Sequence, residues 1–351
     1  MTTHVPSTGP KKLGDIRRKA VSAANQELVK ESFLEAGQTL PLVIEPAVDG
    51  VDLIAWAGAR REELEQKLLQ YGGILFRNFK VEPVADLNRL ISAIAGGALE
   101  YRERSSPRSQ VQGNIYTSTD YPPEYPIFLH NENSYQQTWP LKIFFACAIE
   151  PHDRGETPIA DVRKVYNRLD PELLKPFAEK GWMYIRNFGD GLGLPWQTVF
   201  GTTDRDAIEE YCRERGIVPE WKDGDRLRTR AVRPAITRHP RTGETVWFNH
   251  ATFFHISTLV PEVRNALLSQ FAVEDLPTNT AYGDGTPIPD EVMEQLRAAY
   301  DAETIVFPWR EGDILMLDNM LAAHARSPFS GPRKILVGMS EPISHEDLAG
   351  S

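Results

Sequence analysis

From about residue 110 onward the chain breaks into short apolar or aromatic runs separated by clusters of Pro, Gly, Asn and Asp. That alternation limits the fold more than any other feature, because short runs bounded by turn residues read as strands of an antiparallel sheet. The runs are 127–129, 143–149, 182–188, 245–249, 314–318 and 334–339. Three stretches with helical spacing interrupt them, at 203–215 (with Tyr211 and Cys212), 261–271 and 290–300.

The N-terminal third reads differently. Residues 60–71 place Leu64, Leu68 and Tyr71 on one helical face, and Gly72 and Gly73 supply the stop. The run from Gly73 to Phe79 then reads as a buried strand, and 84–94 as a second helix closed by Gly96 and Gly97. Residues 14–36, with Val21, Ala24 and Leu28 in helical register, predict an N-terminal helical arm ended by Pro41. Residues 1–12 are rich in Pro, Ser, Thr and Gly and are expected to be flexible. These elements predict an α+β fold: a double-stranded β-helix, or jelly roll, with flanking and inserted helices. No boundary signal divides 13–351, which is expected to be a single domain.

Composition bounds the function. With 39 basic and 49 acidic residues the net charge is −10, and no basic stripe suited to nucleic acid is present. The one compact basic cluster is Arg17, Arg18 and Lys19, which reads as a solvated helix face or as a docking patch for an acidic partner. Cys147 and Cys212 cannot build a disulfide framework, and Cys147 lies in an apolar run as a small core residue. No apolar run approaches the ~20 residues of a membrane span, and the first thirty residues lack the apolar core of a signal peptide. A cytoplasmic protein is expected.

His130-Asn131-Glu132 follows the run 127–129. On an extended chain, side chains at i and i+2 share a face, so the His and the Glu could reach one ion. His324 follows the run 314–318 and an Asp318-Asn319 turn, and could complete the set. Two imidazoles and one carboxylate leave three octahedral positions open, as iron(II) needs if it is to bind a cosubstrate and O₂. A His-x-acid pair alone is a weak signal: His345-Glu346-Asp347 is another, six residues from the end, and reads as a solvated tail. Arg333 opens the run 334–339. It either faces water or pairs with an acidic ligand beside the core, and the pattern does not choose between these.

Over roughly residues 40–340 these motifs resemble the taurine dioxygenase superfamily of iron(II)- and 2-oxoglutarate-dependent oxygenases. Within it, the nearest branch is that of clavaminate synthase-like enzymes and syringomycin-type aspartyl hydroxylases. The segments that carry this flavour begin at Thr117, His130 and Trp247. The resemblance implies that His130, Glu132 and His324 bind iron, and that Thr157 and Arg333 contact 2-oxoglutarate. Gly155-Glu156-Thr157 matches the turn whose Thr touches the cosubstrate, with Thr157 standing 27 residues (157 − 130) after His130. The chain departs from the pattern at Arg154, which replaces a Gly, and in the nine-residue spacing (333 − 324) from His324 to Arg333. The short spacing keeps Arg326 as a second candidate clamp.

The implied activity is hydroxylation of an unactivated C–H bond in an amino acid or a derivative of one, in specialised metabolism. The substrate would be either free or tethered to an acyl or peptidyl carrier protein. Desaturation and cyclisation would use the same site. Other readings are a zinc hydrolase with the same ligands, a non-catalytic ligand-binding jelly roll, and a halogenase, which the carboxylate of Glu132 disfavours. Candidate substrate contacts are Asn131, Ser134, Tyr135, Arg186, Asn249 and His250, with His255 a further polar residue in an aromatic segment. Trp247, Phe248, Phe253 and Phe254 read as core. Tyr101 and Arg108 sit in a long loop with the makings of a lid, while His4, His152 and His239 read as surface residues. The sequence leaves the oligomeric state open.

Overall fold

The computed structural model describes residues 27–100, 109–118, 121–189, 191 and 193–349. Its backbone is an eight-stranded sheet in the order Val29–Phe33, Leu42–Pro46, Gly73–Phe76, Ile314–Asp318, Thr138–Ile149, Lys334–Ser344, Ile115–Thr117, Gln110–Gln112. Neighbours run antiparallel except Leu42–Pro46 with Gly73–Phe76. The central strand Thr138–Ile149 reads as a continuous apolar run because both its faces are covered. Ile143, Phe145 and Cys147 face one way, joining Leu315, Leu317, Val337 and Met339. Phe144 and Ala146 face the other, against the helices Leu53–Ala59, Arg61–Tyr71 and Pro83–Ala95.

The first of these faces is closed by a second sheet, in the order Thr304–Ile305, Ile159–Asp161, Ala322–Arg326, Ile127–His130. Ile159 and Ala322 from that sheet share one core with Phe145 and Leu317 from the first. The pair forms the expected jelly-roll core, and the ends of its second sheet carry the polar residues of interest. A further four-stranded sheet, Ile217–Trp221, Leu227–Arg233, Trp182–Phe188, Thr278–Tyr282, is inserted beside it. The helices Val162–Arg168, Pro171–Lys180 and Asp290–Glu303 share a separate core with this insert.

Several expectations are corrected. Residues 29–33 form an edge strand paired with 42–46, not the end of a helix; pairing with an existing sheet outweighs their helical spacing. Residues 14–26 of the arm, Arg17, Arg18 and Lys19 included, lie outside the described residues, as do 1–12, Tyr101 and Arg108. The segment after it is not wholly a loop, since Gln110–Gln112 and Ile115–Thr117 make a hairpin. Leu227–Arg233 was not anticipated because it carries three arginines. Their stems pack while Arg228 bonds to Asn187, to the Glu274 carbonyl and to Asp275. His239 is buried against Asp318 rather than exposed. His345 starts a short helix, His345–Ala349, and rests edge-on against Trp139 (4.7 Å) instead of trailing in solvent. Among the described residues no helix is long and apolar enough to cross a membrane.

Candidate metal centre

His130 ends one strand of the second sheet, and His324 lies directly opposite it in the antiparallel pairing, with a bulge between His324 and Arg326. Cross-strand partners of this kind hold their side chains side by side. The two rings lie 4.4 Å apart. Glu132 arrives by a different route from the one its spacing suggested. It opens a turn rather than continuing the strand, and Asn133 within that turn takes a left-handed φ of 57°. The turn swings the Glu132 carboxylate to 3.5 Å from His324 Nε2 and 4.0 Å from His130 Nε2. One donor atom from each of the three residues lies within 4.8 Å of the others. Among the described residues this is the one such cluster of His, Cys, Asp and Glu, and His345-Glu346-Asp347 is not part of one.

The donor set fits a metal ion. His130 Nδ1 lies 2.8 Å from the Phe128 carbonyl, which can only accept. The proton therefore sits on Nδ1, and the Nε2 lone pair is left facing the cluster. Glu132 is 3% exposed, and two imidazoles and a carboxylate converging on one point suit a divalent ion with open coordination positions.

A turn from elsewhere in the chain fastens this arrangement. Asn319 Oδ1 accepts the Glu132 amide (2.7 Å), and its Nδ2 donates to the carbonyls of Glu132 (2.9 Å) and Pro140 (2.8 Å). The Asn319 carbonyl in turn accepts from Asn131 Nδ2 (2.7 Å). Asp318 caps the same turn by accepting the amides of Met320 and Leu321. Asp318 also receives a hydrogen bond from His239 Nε2 (3.1 Å), whose Nδ1 is occupied by the amides of Arg241 and Thr242. One buried network thus links Asn131 and Glu132 to the turn that precedes the strand carrying His324. No role was expected of Asn319, and His239 read as a surface residue. The Asp318-Asn319 turn before the second His was the only available signal.

A recess of about 370 Å³ opens beside the two histidines, lined by Ser118, Phe145, Thr157, Arg326 and Arg333 among others. Arg333 donates to the Gly155 carbonyl (2.7 Å) and to Ser118 Oγ (3.1 Å). Burial, and then the charge of Arg326, pushes its pKa down to about 10, so it remains a cation at neutral pH. Thr157 is buried and accepts from the Trp309 indole (3.1 Å), which leaves its hydroxyl proton for another acceptor. Arg326 reaches the same recess with its guanidinium already committed to the carbonyls of Tyr121, Pro122 and Tyr125 (2.7–2.8 Å). The turn that positions Thr157 is tight. Arg154 and Gly155 both have positive φ, 57° and 75°, and a Cβ at Gly155 would stand 2.9 Å from that of Phe329.

The remaining candidates fall into two groups. Ser134, Tyr135 and His250 gather on the Glu132 side. Ser134 Oγ bonds His250 Nδ1 (2.6 Å), and the His250 ring lies 5.3 Å from His130 and 5.0 Å from Tyr135. Burial above all, then the nearby His130, holds the His250 pKa well below the ordinary imidazole value. Phe253, expected in the core, instead lies against His130 at 4.7 Å. Asn131 and Asn249 are occupied within the fold: Asn131 on Asn319, Asn249 on the Ala235 carbonyl and the Ala251 amide. Arg186 stands apart, on the inserted sheet.

Comparison with known proteins follows the same lines. The sequence profile of the taurine catabolism dioxygenase TauD, TfdA family matches residues 36–340. Dapdiamide synthesis protein DdaC of Enterobacter agglomerans is 40% identical over 280 residues, covering 80% of this chain and 85% of that protein. A clavaminate synthase-like protein of Arabidopsis thaliana is 30% identical over 290 residues, covering 80% and 84%. Among solved structures, PvcB, described as an Fe, alpha-ketoglutarate dependent oxygenase from an isonitrile synthetic pathway, aligns with a TM-score of 0.54 at 15% identity. That alignment covers 95% of this chain and 94% of PvcB, a likeness of fold.

Proposed function

Because this chain belongs to the taurine catabolism dioxygenase TauD, TfdA family, we propose that His130, Glu132 and His324 hold its iron(II) and that Thr157 and Arg333 seat its 2-oxoglutarate. The observation that carries this reading is the His-Glu-His cluster opening on a recess that contains a half-buried cation, Arg333, with no acidic residue among the described residues of its lining. A dicarboxylate would bring one end to the metal and present the other to Arg333, where a guanidinium fork matches a carboxylate. Bound iron and 2-oxoglutarate supply, from O₂, an oxidant able to remove hydrogen from carbon, with succinate and CO₂ as co-products. The protein's own part is orientation and exclusion of water. The Phe128 carbonyl fixes the His130 tautomer, the Asn319 network fixes Glu132, and Phe145 and Phe253 flank the imidazoles.

The proposed reaction is hydroxylation of an amino acid or an amino-acid derivative, with Ser134, Tyr135 and His250 on the substrate side. A relative named for dapdiamide synthesis supports a role in specialised metabolism. Desaturation or cyclisation would use the same residues. The dioxygenase family leaves the zinc hydrolase and the non-catalytic jelly roll without support. Delivery on a carrier protein stays a second proposal, tested with the substrate.

Anaerobic loading with iron(II) and 2-oxoglutarate tests the centre. The loaded protein should develop a weak visible charge-transfer band at one iron per chain, and His130→Ala or His324→Ala should abolish it. A screen of free and carrier-bound amino acids for succinate release then identifies the substrate. Tight zinc binding without a band from iron would overturn the assignment.

A further inference from the structure

A second recess, of about 530 Å³, lies between the inserted sheet and the segment that follows Glu132. Its wall follows from the pleat: Tyr184 and Arg186 alternate onto one face of their strand, opposite Ala231 and Thr229. Tyr135 forms part of the lining, and its ring is 5.0 Å from His250, itself 5.3 Å from His130. Two ring contacts, Tyr135 on His250 and His250 on His130, thus connect the lining of the recess to the histidine cluster. Among the described residues no member of its lining is acidic, while Arg186, Arg215 and Arg233 all contribute.

The three cations differ in their commitments. Arg233 donates to the carbonyls of Arg215 and Val232 (both 2.9 Å). Arg215 lies over the Tyr211 ring at 4.0 Å and beside Glu214 at 3.2 Å. Arg186 is half-buried, with its guanidinium 4.6 Å over Phe188 and 5.7 Å from Tyr184, and among the described residues it makes ring contacts only. A partly desolvated guanidinium resting on aromatic faces, in a recess without acids, is matched to a planar anion.

We infer that this recess receives a carboxylate of the substrate and that Arg186 is the residue that binds it. The inference rests on the metal-centre reading above and deepens it, since it defines the substrate class as one with a free carboxylate. A neutral amide in the same place would leave Arg186 without its partner, so an acid should be accepted and its amide rejected.

The test compares the proteinogenic amino acids and their N-acetyl derivatives, each with its C-terminal primary amide. Binding to the purified protein is read by saturation-transfer NMR and, after loading with iron and 2-oxoglutarate, by succinate release. At least one acid should bind saturably, about tenfold or more tighter than its amide. Arg186→Gln should abolish that preference, seen in turnover as a raised KM more than a lowered kcat. Arg186→Lys, which keeps the charge but loses the fork, should retain part of it. Arg205→Gln, which changes an arginine of the same insert paired with Asp225 outside the recess, should retain it all. Equal binding of acid and amide, saturable binding by no acid, or an unchanged preference in Arg186→Gln would overturn the inference. If Arg186→Gln fails to fold, the acid–amide comparison on the wild type and the Lys variant still decides. Acid-selective binding by a protein that never converts 2-oxoglutarate to succinate would overturn the dioxygenase assignment instead.

Discussion

Arg326 and Arg333 reach the same recess, and their hydrogen bonds separate their roles. Arg326 ties down three carbonyls of the 121–125 segment, whereas Arg333 spends one bond on the Gly155 carbonyl and one on Ser118. Truncating one partner of a buried charge pair typically costs ~2–5 kcal/mol. Arg333→Ala should therefore raise the 2-oxoglutarate requirement by at least tenfold or so, measured as succinate release against 2-oxoglutarate concentration. Arg326→Ala should leave that requirement nearly unchanged and lower Tm instead, because it orphans backbone carbonyls. The reverse pattern would assign the clamp to Arg326. Cys147 is the contrasting case: it is fully buried, and burial pushes its thiol up to about 12. The native protein should leave Cys147 unreacted with a thiol-labelling reagent at pH 8, and labelling without unfolding would contradict its place in the core.

At the scale of elements, the Asp318-Asn319 turn does what neither ligand strand can do alone. His130 and His324 come into register through strand pairing, but Glu132 lies in a turn with no ladder to hold it. Asn319 supplies the missing constraint by bonding both the amide and the carbonyl of Glu132. Asn319→Ala would strand those two groups and the Pro140 carbonyl in the interior, at about 1–3 kcal/mol each where water cannot replace the lost bond. The expected outcome is a lower Tm and iron affinity weakened by roughly 10–100-fold, the range for lost outer-shell support. Denaturant titration and iron titration measure the two effects. An unchanged iron affinity in a folded Asn319→Ala protein would remove the turn from the metal site.

For the whole molecule, buried imidazoles set a limit on acid stability. Burial lowers the pKa of both His255 and His345 to about 4. Between the ordinary imidazole value near 6.5 and about 4, the unfolded chain binds protons at these sites that the folded chain does not. Stability should then fall as pH drops through that window and stop falling on their account below it. Tm measured from pH 7 to 4 should show this decline. His345→Gln should make it shallower, since that ring is held against Trp139. A Tm flat from 7 to 4 would show that neither ring is excluded from protons in the native state.

Periodicity and turn residues were enough to identify most of the sheet and helix segments, because strands buried on both faces and amphipathic helices leave patterns in a single sequence. They also pointed to His130, Glu132 and His324 as one group, and the folded chain brings those three together within 4.8 Å. What escaped the pattern was decided by contacts distant in sequence. Residues 29–33 became a strand because 42–46 offered them an edge, and the arginine-rich 227–233 was stabilised in a sheet by partners at 187, 274 and 275. His239 is surrounded by turn residues in sequence, yet it is buried because Asp318, 79 residues away, accepts a hydrogen bond from its ring. Arg326 and Arg333 could not be told apart by spacing, since a turn containing Pro328 and Gly331 erases strand parity between them. The tertiary structure separates them because a hydrogen bond depends on distance in space, and local periodicity carries no record of which remote carbonyl will be within reach.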